Sequence, residues 1–481
     1  MCGIAGIYHF DRDSRPDAVL LERMTHLIAH RGPDDCGHLV RDNVALGHRR
    51  LSIIDLSASG HQPMSNEDGS VWIVYNGECY NYAELAAALR ARGWRFRSCS
   101  DTEVVLRLYE EKGEAFLQDL EGMFAFALWD RRKKLLLVAR DRIGIKPLYW
   151  TADRNRFSFA SEMKALLADP DLLVDLDRGS LGSYFRLLSI PDPKSILSAV
   201  QKLRPGHYLR VTPGGVQDKA YWKLAIAIDD AMPFEAATHG FEQRFRTSVR
   251  SHMVADVPVG AFLSGGVDSS SIVAEAARAT HTPIETFSIT FPGLAEFDES
   301  PYASQVASHC GAQHHEFNLT PDLIDSVEKV AWHADEPFAI SSAFALYHLA
   351  KLARSRVKVV LSGDGGDEVF AGYVWRHIDF PELPFAAVAA AGGFLTRFTR
   401  WLPPRFREQL TRVRTKDERY LNAFTACSGS ELDLLLQPEL ARSAEDGWEE
   451  NQVQRYLDEV PNAEQLARKL YADIKTTLVS E

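Results

Sequence analysis

An apolar run near the middle of the chain leads into a glycine-rich turn: Val259-Gly260-Ala261-Phe262-Leu263-Ser264-Gly265-Gly266-Val267-Asp268-Ser269-Ser270. The run predicts a strand that ends at Leu263, and residues 270–280 predict a helix. The backbone N–H groups of such a turn can bind phosphate at the amino end of the helix. An ordinary strand-to-helix turn is the alternative interpretation, because Gly-Gly before Asp also forms turns.

The sequence after this turn alternates between strand and helix patterns. Strands are predicted over residues 285–290 and 357–361, and a helix is predicted over residues 302–310. Such alternation indicates a parallel sheet covered by helices, whose ligands bind at the carboxyl ends of the strands. From Trp375 onward the sequence reads mainly as helix. No Walker-type G-x4-GK-S/T string is present, which argues against kinase-like or GTPase-like hydrolysis.

A second glycine-rich string follows the strand predicted over residues 357–361. It contains three carboxylates and reads Leu361-Ser362-Gly363-Asp364-Gly365-Gly366-Asp367-Glu368. Hard oxygen ligands suit Mg²⁺, which can neutralise the charge of a departing pyrophosphate. A solvated acidic turn is the alternative interpretation.

The first 200 residues show a different pattern, in which strands and helices are not regularly alternated. Strands are predicted over residues 71–74, 123–129 and 135–138, and helices over residues 82–92 and 102–112. This part therefore reads as sheets packed with helices. A chain of 481 residues exceeds the size of one hydrophobic core. We predict one domain over residues 2–205, a linker over 206–235 and a second domain over 236–481.

Composition and charge exclude several classes of protein. The net charge of −12 comes from interspersed acids and bases, so we expect no nucleic-acid partner. The longest weakly apolar stretch, residues 385–395, is shorter than the roughly 20 residues of a membrane span. With no secretory signal at the amino terminus, we expect a cytoplasmic protein. Six scattered cysteines without a CxxC pair argue against zinc and against a disulfide framework.

Cys2 would carry a thiol and a free α-amine on one residue if Met1 is removed. The amine has an ordinary pKa of about 7.7 to 8.0 and the thiol one of about 8.5, so the amine can take the thiol proton near neutral pH. This pairing predicts a catalytic nucleophile. An incidental buried cysteine is the alternative interpretation.

Four strings follow Cys2 in order: His30-Arg31-Gly32-Pro33-Asp34, Arg50-Leu51-Ser52-Ile53-Ile54-Asp55, Asn76-Gly77-Glu78 and Ser100-Asp101-Thr102-Glu103. Together they resemble the class II glutamine amidotransferases, which have the α+β amino-terminal-nucleophile (αββα) fold. The resemblance implies that Arg50 binds the α-carboxylate of glutamine, that Asp101 binds its α-ammonium, and that Asn76 and Gly77 form the oxyanion hole. Asn-Gly is also a strong hairpin signal, which leaves a plain turn as the alternative. The glutamine-binding residues implied are Arg50, Leu51, Ser52, Ile53, Ile54, Asn76, Gly77, Glu78 and Asp101.

The two later strings resemble the α/β parallel-sheet ATP pyrophosphatases, and the order of all strings resembles the glutamine-hydrolysing asparagine synthetase family. The resemblance implies ATP and Mg²⁺ as cofactors, with Asp268 and Asp367 as metal ligands. It also implies that Asp364 helps to position the acceptor carboxylate. The ATP-binding residues implied are Phe262, Leu263, Ser264, Gly265, Gly266, Asp268, Ser269, Ser270, Ile289, Ser362 and Gly363.

The resemblance predicts synthesis of asparagine from aspartate, glutamine and ATP, with glutamate, AMP and pyrophosphate as the other products. It leaves open whether the protein forms a homodimer. A related amidotransferase for a sugar or peptide carboxylate is one alternative, and a glutaminase or regulatory protein with an incomplete synthetase domain is another. The last alternative arises because residues 471–481 resemble a helical stretch that is normally followed by more residues in this family. In addition, no S-M-x(n)-E-x-R-x-P-F-L-D string follows Tyr373. We therefore expect a second domain that is short at its carboxyl terminus.

Overall fold

The computed structural model of the protein describes residues 1–291, 298–319, 326–340, 342–377, 417, 420–421, 423, 425–446 and 452–480. In these ranges, no helix is both long enough and apolar enough to cross a membrane. Residues 385–395, the weakly apolar stretch noted in the sequence, lie outside them.

Twelve strands in the first half of the chain form two antiparallel sheets of six strands each. The first sheet has the order β10-β8-β9-β1-β3-β2, and the second has the order β12-β11-β7-β6-β5-β4. In chain order the strands are β1 (Gly3–His9), β2 (Asp35–Arg41), β3 (Val44–Arg50), β4 (Met64–Ser65), β5 (Val71–Cys79), β6 (Gly122–Asp130), β7 (Leu135–Arg140), β8 (Tyr149–Ala152), β9 (Arg156–Ala160), β10 (Gln201–Lys202), β11 (His207–Thr212) and β12 (Gly215–Ala220).

The two sheets stack face to face, and helices cover their outer faces. Ile4 of the first sheet and Val138 of the second belong to one apolar layer between the sheets. Leu21 packs under the first sheet, whereas Leu89 and Leu106 pack under the second. This layering confirms the predicted αββα fold. The helices of this half are α1 (Ala18–Leu27), α2 (Tyr82–Ala91), α3 (Asp101–Lys112), α4 (Met163–Leu166) and α5 (Arg178–Leu187).

The second sheet extends into residues that the sequence pattern assigns to a linker over 206–235. β11 pairs with β7, and β11 and β12 form a hairpin that closes between Thr212 and Gly215. Pro213 and Gly214 therefore mark a hairpin turn, because proline and glycine suit tight turns as well as linkers. Residues 221–233 are the longest stretch of this range without helix or strand.

The second half contains a parallel sheet of four strands in the order β15-β14-β13-β16. The chain adds strands on one side of β13 and then returns to its other side, so the strand order reverses between β13 and β16. Ligands of open α/β sheets bind at such a switch point. The strands are β13 (Val259–Phe262), β14 (Glu285–Thr290), β15 (Gln313–Asn318) and β16 (Val359–Leu361).

Helices cover both faces of the parallel sheet. Val249, Val273 and Ala303 pack on one face, and Leu349 packs with Phe287 on the other. The alternation of strand and helix in the sequence thus gives the predicted α/β domain. The helices of this region are α6 (Phe234–His252), α7 (Val267–Ala279), α8 (Ser300–Cys310), α9 (Val327–Ala334) and α10 (Ser342–Arg354).

The described residues after β16 are mainly helical, as the sequence predicts from Trp375 onward. Asp473 accepts hydrogen bonds from Arg376 Nη1 at 2.7 Å and from the Tyr420 hydroxyl at 2.9 Å, which joins the carboxyl-terminal helices to the residues after the acidic string. The helices are α11 (Gly366–Phe370), α12 (Val374–His377), α13 (Gly429–Leu435), α14 (Pro438–Asp446), α15 (Gln452–Glu459), α16 (Gln465–Lys475) and α17 (Thr477–Ser480).

Candidate active sites

Cys2 lies directly before β1, with its thiol against the backbone of Leu51. The Leu51 N–H donates to Sγ at 3.4 Å, and Arg31 Nε donates to the Cys2 carbonyl oxygen at 2.9 Å. Burial raises the pKa of the Cys2 thiol, and the adjacent α-amino group and Arg31 oppose this rise. Burial also lowers the pKa of the Met1 α-amine to about 5. With Met1 in place, this terminal amine is therefore neutral near pH 7.

Asn76 and Gly77 lie inside β5, paired with Ala125 and Phe124 of β6. This pairing excludes the hairpin-turn interpretation of Asn-Gly. A Cβ atom at Gly77 would lie 2.5 Å from the Met123 carbonyl oxygen, so only glycine fits there. Among the described residues, neither polar side-chain atom of Asn76 has a hydrogen-bond partner, although the residue is only 1% exposed. A buried amide without a partner is costly, and a bound polar ligand would relieve that cost.

Arg50 ends β3 and is buried. Its guanidinium donates to three backbone carbonyls of the loop that follows, including Ser57 O at 3.0 Å and Ile54 O at 3.4 Å. A Cβ atom at Gly60 would lie 1.9 Å from Arg50 Nη2, so glycine is required for the guanidinium to lie there. Within the ranges that the structure covers, no carboxylate forms an ion pair with Arg50. The predicted role of Arg50 in binding a substrate carboxylate stays a prediction.

Two buried carboxylates lie near each other in this half of the chain. Asp101, at the start of α3, accepts hydrogen bonds from the N–H groups of Cys79 at 2.9 Å and Thr102 at 2.7 Å. Burial raises its pKa to about 6. Burial, followed by the charge of Asp101, raises the pKa of Glu78 to about 9. A bound ammonium group would stabilise the ionised form of this pair.

Lys146 is a buried cation that the sequence patterns did not single out. Burial and the charge of Arg31 lower its pKa to about 8, whereas Asp141, Cys2 and Glu78 act in the opposite direction. Lys146 therefore lies among the predicted glutamine-site residues. In the sequence, Lys146 is the one lysine among residues 140–149. A lysine usually lies on the surface, so this residue alone does not predict a buried cation.

The first glycine-rich string connects β13 to α7 at the switch point of the parallel sheet. The Ser269 hydroxyl accepts from the Ser264 N–H at 3.3 Å and lies 3.0 Å from the Ser264 hydroxyl, which fixes the turn. Gly265 has a φ of +85°, and a Cβ atom there would lie 2.6 Å from Tyr302 Cβ. The turn thus opens onto the amino end of a helix of 13 residues, which is a suitable place for a phosphate.

The second string brings Asp367 towards Asp268. A Cβ atom at Gly366 would lie 2.5 Å from Asp268 Oδ2, and one at Gly363 would lie 3.2 Å from Asp268 Cβ. Burial, followed by the charge of Asp367, raises the pKa of Asp268. Two neighbouring carboxylates repel each other when both are ionised, and a bound divalent cation would offset this repulsion. The described residues contain no cluster of three or more potential metal ligands, but Mg²⁺ is commonly held by one or two carboxylates together with substrate phosphates.

The remaining predicted residues of the second site surround this pair. Phe262 and Ile289 are half-buried and pack beside Phe287. Their predicted position at the edge of an adenosine pocket stays a prediction. The Ser362 hydroxyl donates to Asp364 Oδ2 at 2.7 Å, which holds that carboxylate in the turn after β16.

The loop after Arg50 contacts the chain segment that leads into β13. The Asp55 N–H donates to Asp256 Oδ2 at 2.8 Å, and the Asp256 N–H donates to the Ile53 carbonyl oxygen at 2.9 Å. This reciprocal pair joins the predicted glutamine site to the strand that carries the phosphate loop. Lys358 precedes β16, and its Nζ lies 2.7 Å from Asp34 Oδ2.

Both halves of the chain match known families. Residues 1–222 match the glutamine amidotransferase domain family, and residues 240–481 match the asparagine synthase family. The chain belongs to the asparagine synthase family. The family predicted from the ordered strings is thereby confirmed, as is the succession of an amidotransferase domain and a parallel-sheet domain.

Individual relatives are of moderate similarity. Asparagine synthetase (glutamine-hydrolyzing) 1 of Bacillus subtilis (strain 168) is 38% identical over 382 residues, which cover 78% of this chain and 59% of the relative. Asparagine synthetase (glutamine-hydrolyzing) 3 of the same organism is 34% identical, with 78% and 64% covered. Amidase chry2 of Gibberella zeae is 35% identical, with 78% and 59% covered. The chain thus spans about three fifths of the length of these relatives.

Proposed function

We propose that this protein is a glutamine-dependent, ATP-consuming amidotransferase of the cytoplasm. In its most specific form, the proposal is that it makes asparagine from aspartate, glutamine and ATP and releases glutamate, AMP and pyrophosphate. The observation that carries the proposal is the reciprocal hydrogen-bond pair between Asp256 and the loop at Ile53 and Asp55. It joins the loop of the predicted glutamine site to the segment that leads into the phosphate-loop strand, so the domains that carry the two predicted sites pack against each other.

The first half-reaction uses the residues around Cys2. After removal of Met1, the Cys2 amine takes the thiol proton, and the thiolate attacks the amide carbon of glutamine. Asn76 donates to the oxyanion that forms. The protonated Cys2 amine then gives its proton to the departing nitrogen, so that ammonia leaves and a thioester remains on Cys2. Water then hydrolyses the thioester to glutamate. Arg50 and Asp101 hold the two charged groups of the free amino acid, which selects glutamine over an amide within a peptide.

The second half-reaction uses the switch point of the parallel sheet. A carboxylate oxygen of the acceptor attacks the α-phosphorus of ATP, so that an acyl-adenylate forms and pyrophosphate leaves. Ammonia then attacks the acyl carbon, and AMP leaves. The turn from Ser264 to Asp268 binds the pyrophosphate through its N–H groups. Asp268 and Asp367 would hold Mg²⁺, which supplies positive charge for the departing pyrophosphate.

The identity of the acceptor is the finest part of the proposal. Aspartate is the acceptor that the relatives named asparagine synthetase support. A different carboxylate is the second candidate, because a relative of nearly equal identity is named an amidase. The two candidates share every residue proposed above except those that contact the acceptor.

Product analysis separates these candidates. The protein is incubated with glutamine, Mg-ATP and aspartate, and the products are identified by mass spectrometry. Asparagine together with AMP and pyrophosphate supports the first candidate, whereas AMP formed only with another carboxylate supports the second. Glutamate without AMP, for any acceptor supplied, contradicts the proposal of an ATP-consuming amidotransferase.

We expect Asn76→Ala to lower kcat for glutamine hydrolysis by about 100- to 1000-fold, as loss of one oxyanion donor does elsewhere. The KM for glutamine should change little, because the oxyanion forms only after binding. Steady-state glutamate formation measures both constants. A large increase in KM with an unchanged kcat would assign Asn76 to substrate binding instead.

We expect kcat/KM for glutamine to fall as the pH drops below about 6, because burial raises the pKa of Asp101 to that value. Below it Asp101 is neutral and cannot pair with the α-ammonium of glutamine. The Asp101→Asn variant should lose this acidic limb and bind glutamine more weakly, by about 10- to 150-fold for one charged contact. A pH profile of the variant that keeps the limb would assign it to another group.

A further inference from the structure

A row of alternating charges crosses the boundary between the two halves of the chain. Arg31 Nη1 lies 2.8 Å from Glu162 Oε1. Lys164 Nζ contacts Glu162 Oε2 and lies 3.0 Å from Asp335 Oδ1. Arg31, Glu162 and Lys164 belong to the amidotransferase domain, whereas Asp335 belongs to the asparagine synthase domain. We call these four residues the ion-pair ladder.

The ion-pair ladder is buried, and none of its side chains is more than 10% exposed. Burial would raise the pKa of Glu162, but the hydrogen bond from His30 and the charge of Arg31 outweigh it and lower the pKa to about 2. The carboxylate is therefore ionised at neutral pH. In a buried row, removal of one charge leaves its neighbour uncompensated, so the members depend on one another.

One end of the ion-pair ladder reaches the predicted nucleophile. The Arg31 guanidinium contacts Glu162 through Nη1 and donates from Nε to the Cys2 carbonyl oxygen at 2.9 Å. The guanidinium is planar and rigid. A displacement of Glu162 would therefore also move the Arg31 Nε–H group that donates to the Cys2 carbonyl oxygen. Misplacement of a reacting group by about 1 Å can lower a rate by about 100-fold.

The other end of the ion-pair ladder fixes the end of α9. Asp335 has a φ of 71°, which is uncommon for a residue other than glycine but tolerated by Asp and Asn. Both of its carboxylate oxygens accept from the Lys164 N–H, at 3.1 and 3.2 Å. The chain then leads into α10, whose Leu349 belongs to the same apolar cluster as Phe262 and Ile289. These two residues are the predicted neighbours of adenosine.

We propose that the ion-pair ladder couples nucleotide binding in the second domain to the position of Cys2 in the first. Glu162, Lys164 and Asp335 are then positioning residues that act on Cys2 through Arg31. This inference rests on the proposed function. The competing explanation is that the ladder only holds the two domains together.

A neighbouring ion pair distinguishes these two explanations. Lys202 contacts Glu336, the residue after Asp335, and the side chains are 13% and 8% exposed. Glu336 also accepts from the Ile196 N–H at 3.3 Å. This pair holds the same segment to the amidotransferase domain, but within the described part of the chain its contacts do not lead to Cys2. Glu336→Gln is therefore the matched control for Asp335→Asn, which keeps the side-chain shape and tolerates the backbone conformation.

The test measures the alkylation rate of Cys2 by iodoacetamide, with and without Mg-ATP, in the full chain. Peptide mass spectrometry follows Cys2, and the exposed Cys99 serves as the internal reference. We expect Mg-ATP to change the rate at Cys2 by at least about fivefold in the wild-type protein, the lower end of typical coupling between sites. The change should persist in Glu336→Gln and disappear in Asp335→Asn.

Three outcomes would overturn the inference: no response of Cys2 to Mg-ATP in the wild-type protein, a wild-type response in Asp335→Asn, or an equal loss in both variants. The last outcome would mean that the ladder only holds the domains together. Glutamate formation and ammonia-driven pyrophosphate release are measured in parallel. Their absence refutes the proposed function separately, because alkylation requires only that the nucleotide binds.

Discussion

Replacement of Cys2 by alanine is expected to abolish glutamate formation from glutamine and to leave ammonia-driven pyrophosphate release unchanged. Only the first half-reaction uses the thiol, and loss of a catalytic nucleophile elsewhere lowers kcat by about 10⁶-fold. Ammonia supplied in solution replaces the product of that half-reaction. Glutamate and pyrophosphate are measured in parallel, first with glutamine and then with ammonium chloride as the nitrogen source.

Cys99→Ala is the matched control for this experiment, because it removes an exposed thiol from the same domain. We expect both activities to persist in that variant. The intact mass of active protein should correspond to a chain without Met1, because the Cys2 amine acts as the base. Retention of Met1 in active protein, or glutamine hydrolysis by Cys2→Ala, would contradict the proposed role of the amino-terminal residue.

Local sequence patterns predict most of the strands and helices that position these sites. The strand predicted over residues 285–290 has those bounds in the structure, and the helix predicted over 302–310 begins two residues earlier, at Ser300. These predictions succeed because the spacing of apolar residues reports which face of an element is buried. The structure then places both glycine-rich strings at the switch point of one parallel sheet.

The same patterns fail where buried residues are polar. The apolar residues predict a strand that ends at Val74, yet β5 continues to Cys79. Asn76 and Glu78, both buried, interrupt the apolar pattern in the second half of this strand. A conflict between local pattern and burial is expected where function determines the residue. The motif resemblance points to Asn76 and Glu78 as site residues, whereas the periodicity of apolar residues alone would leave both outside the strand.

The ion-pair ladder lies beyond any local prediction. Arg31 and Glu162 are 131 residues apart, and Lys164 and Asp335 are 171 residues apart. The motif resemblance assigns no role to any of these four residues, and charged side chains are rarely fully buried unless they are paired. Only the packing of the two domains shows that the charges are buried against one another. Lys146 escapes prediction for the same reason.

Substitution of Asp268 or Asp367 by alanine is expected to stop ATP cleavage. The two carboxylates lie about one hundred residues apart in sequence, yet each follows a strand of the parallel sheet, and β13 pairs directly with β16. Each variant would lose one of the two proposed Mg²⁺ ligands, so the ion would be held more weakly and less well placed to neutralise the charge of the departing pyrophosphate. Pyrophosphate release should therefore fall below detection at saturating Mg²⁺.

Glutamine hydrolysis should largely persist in both variants, because its nucleophile, base and oxyanion donors all lie in the amidotransferase domain. Asp230→Asn changes an exposed carboxylate outside both sites and serves as the control for the loss of a negative charge. Glutamate and pyrophosphate are quantified in the same reactions. Normal pyrophosphate release in one variant would remove that carboxylate from the metal site. Loss of glutamine hydrolysis in both variants when no nucleotide is present would instead indicate that the substitutions disturb the fold, because the two sites share no residue.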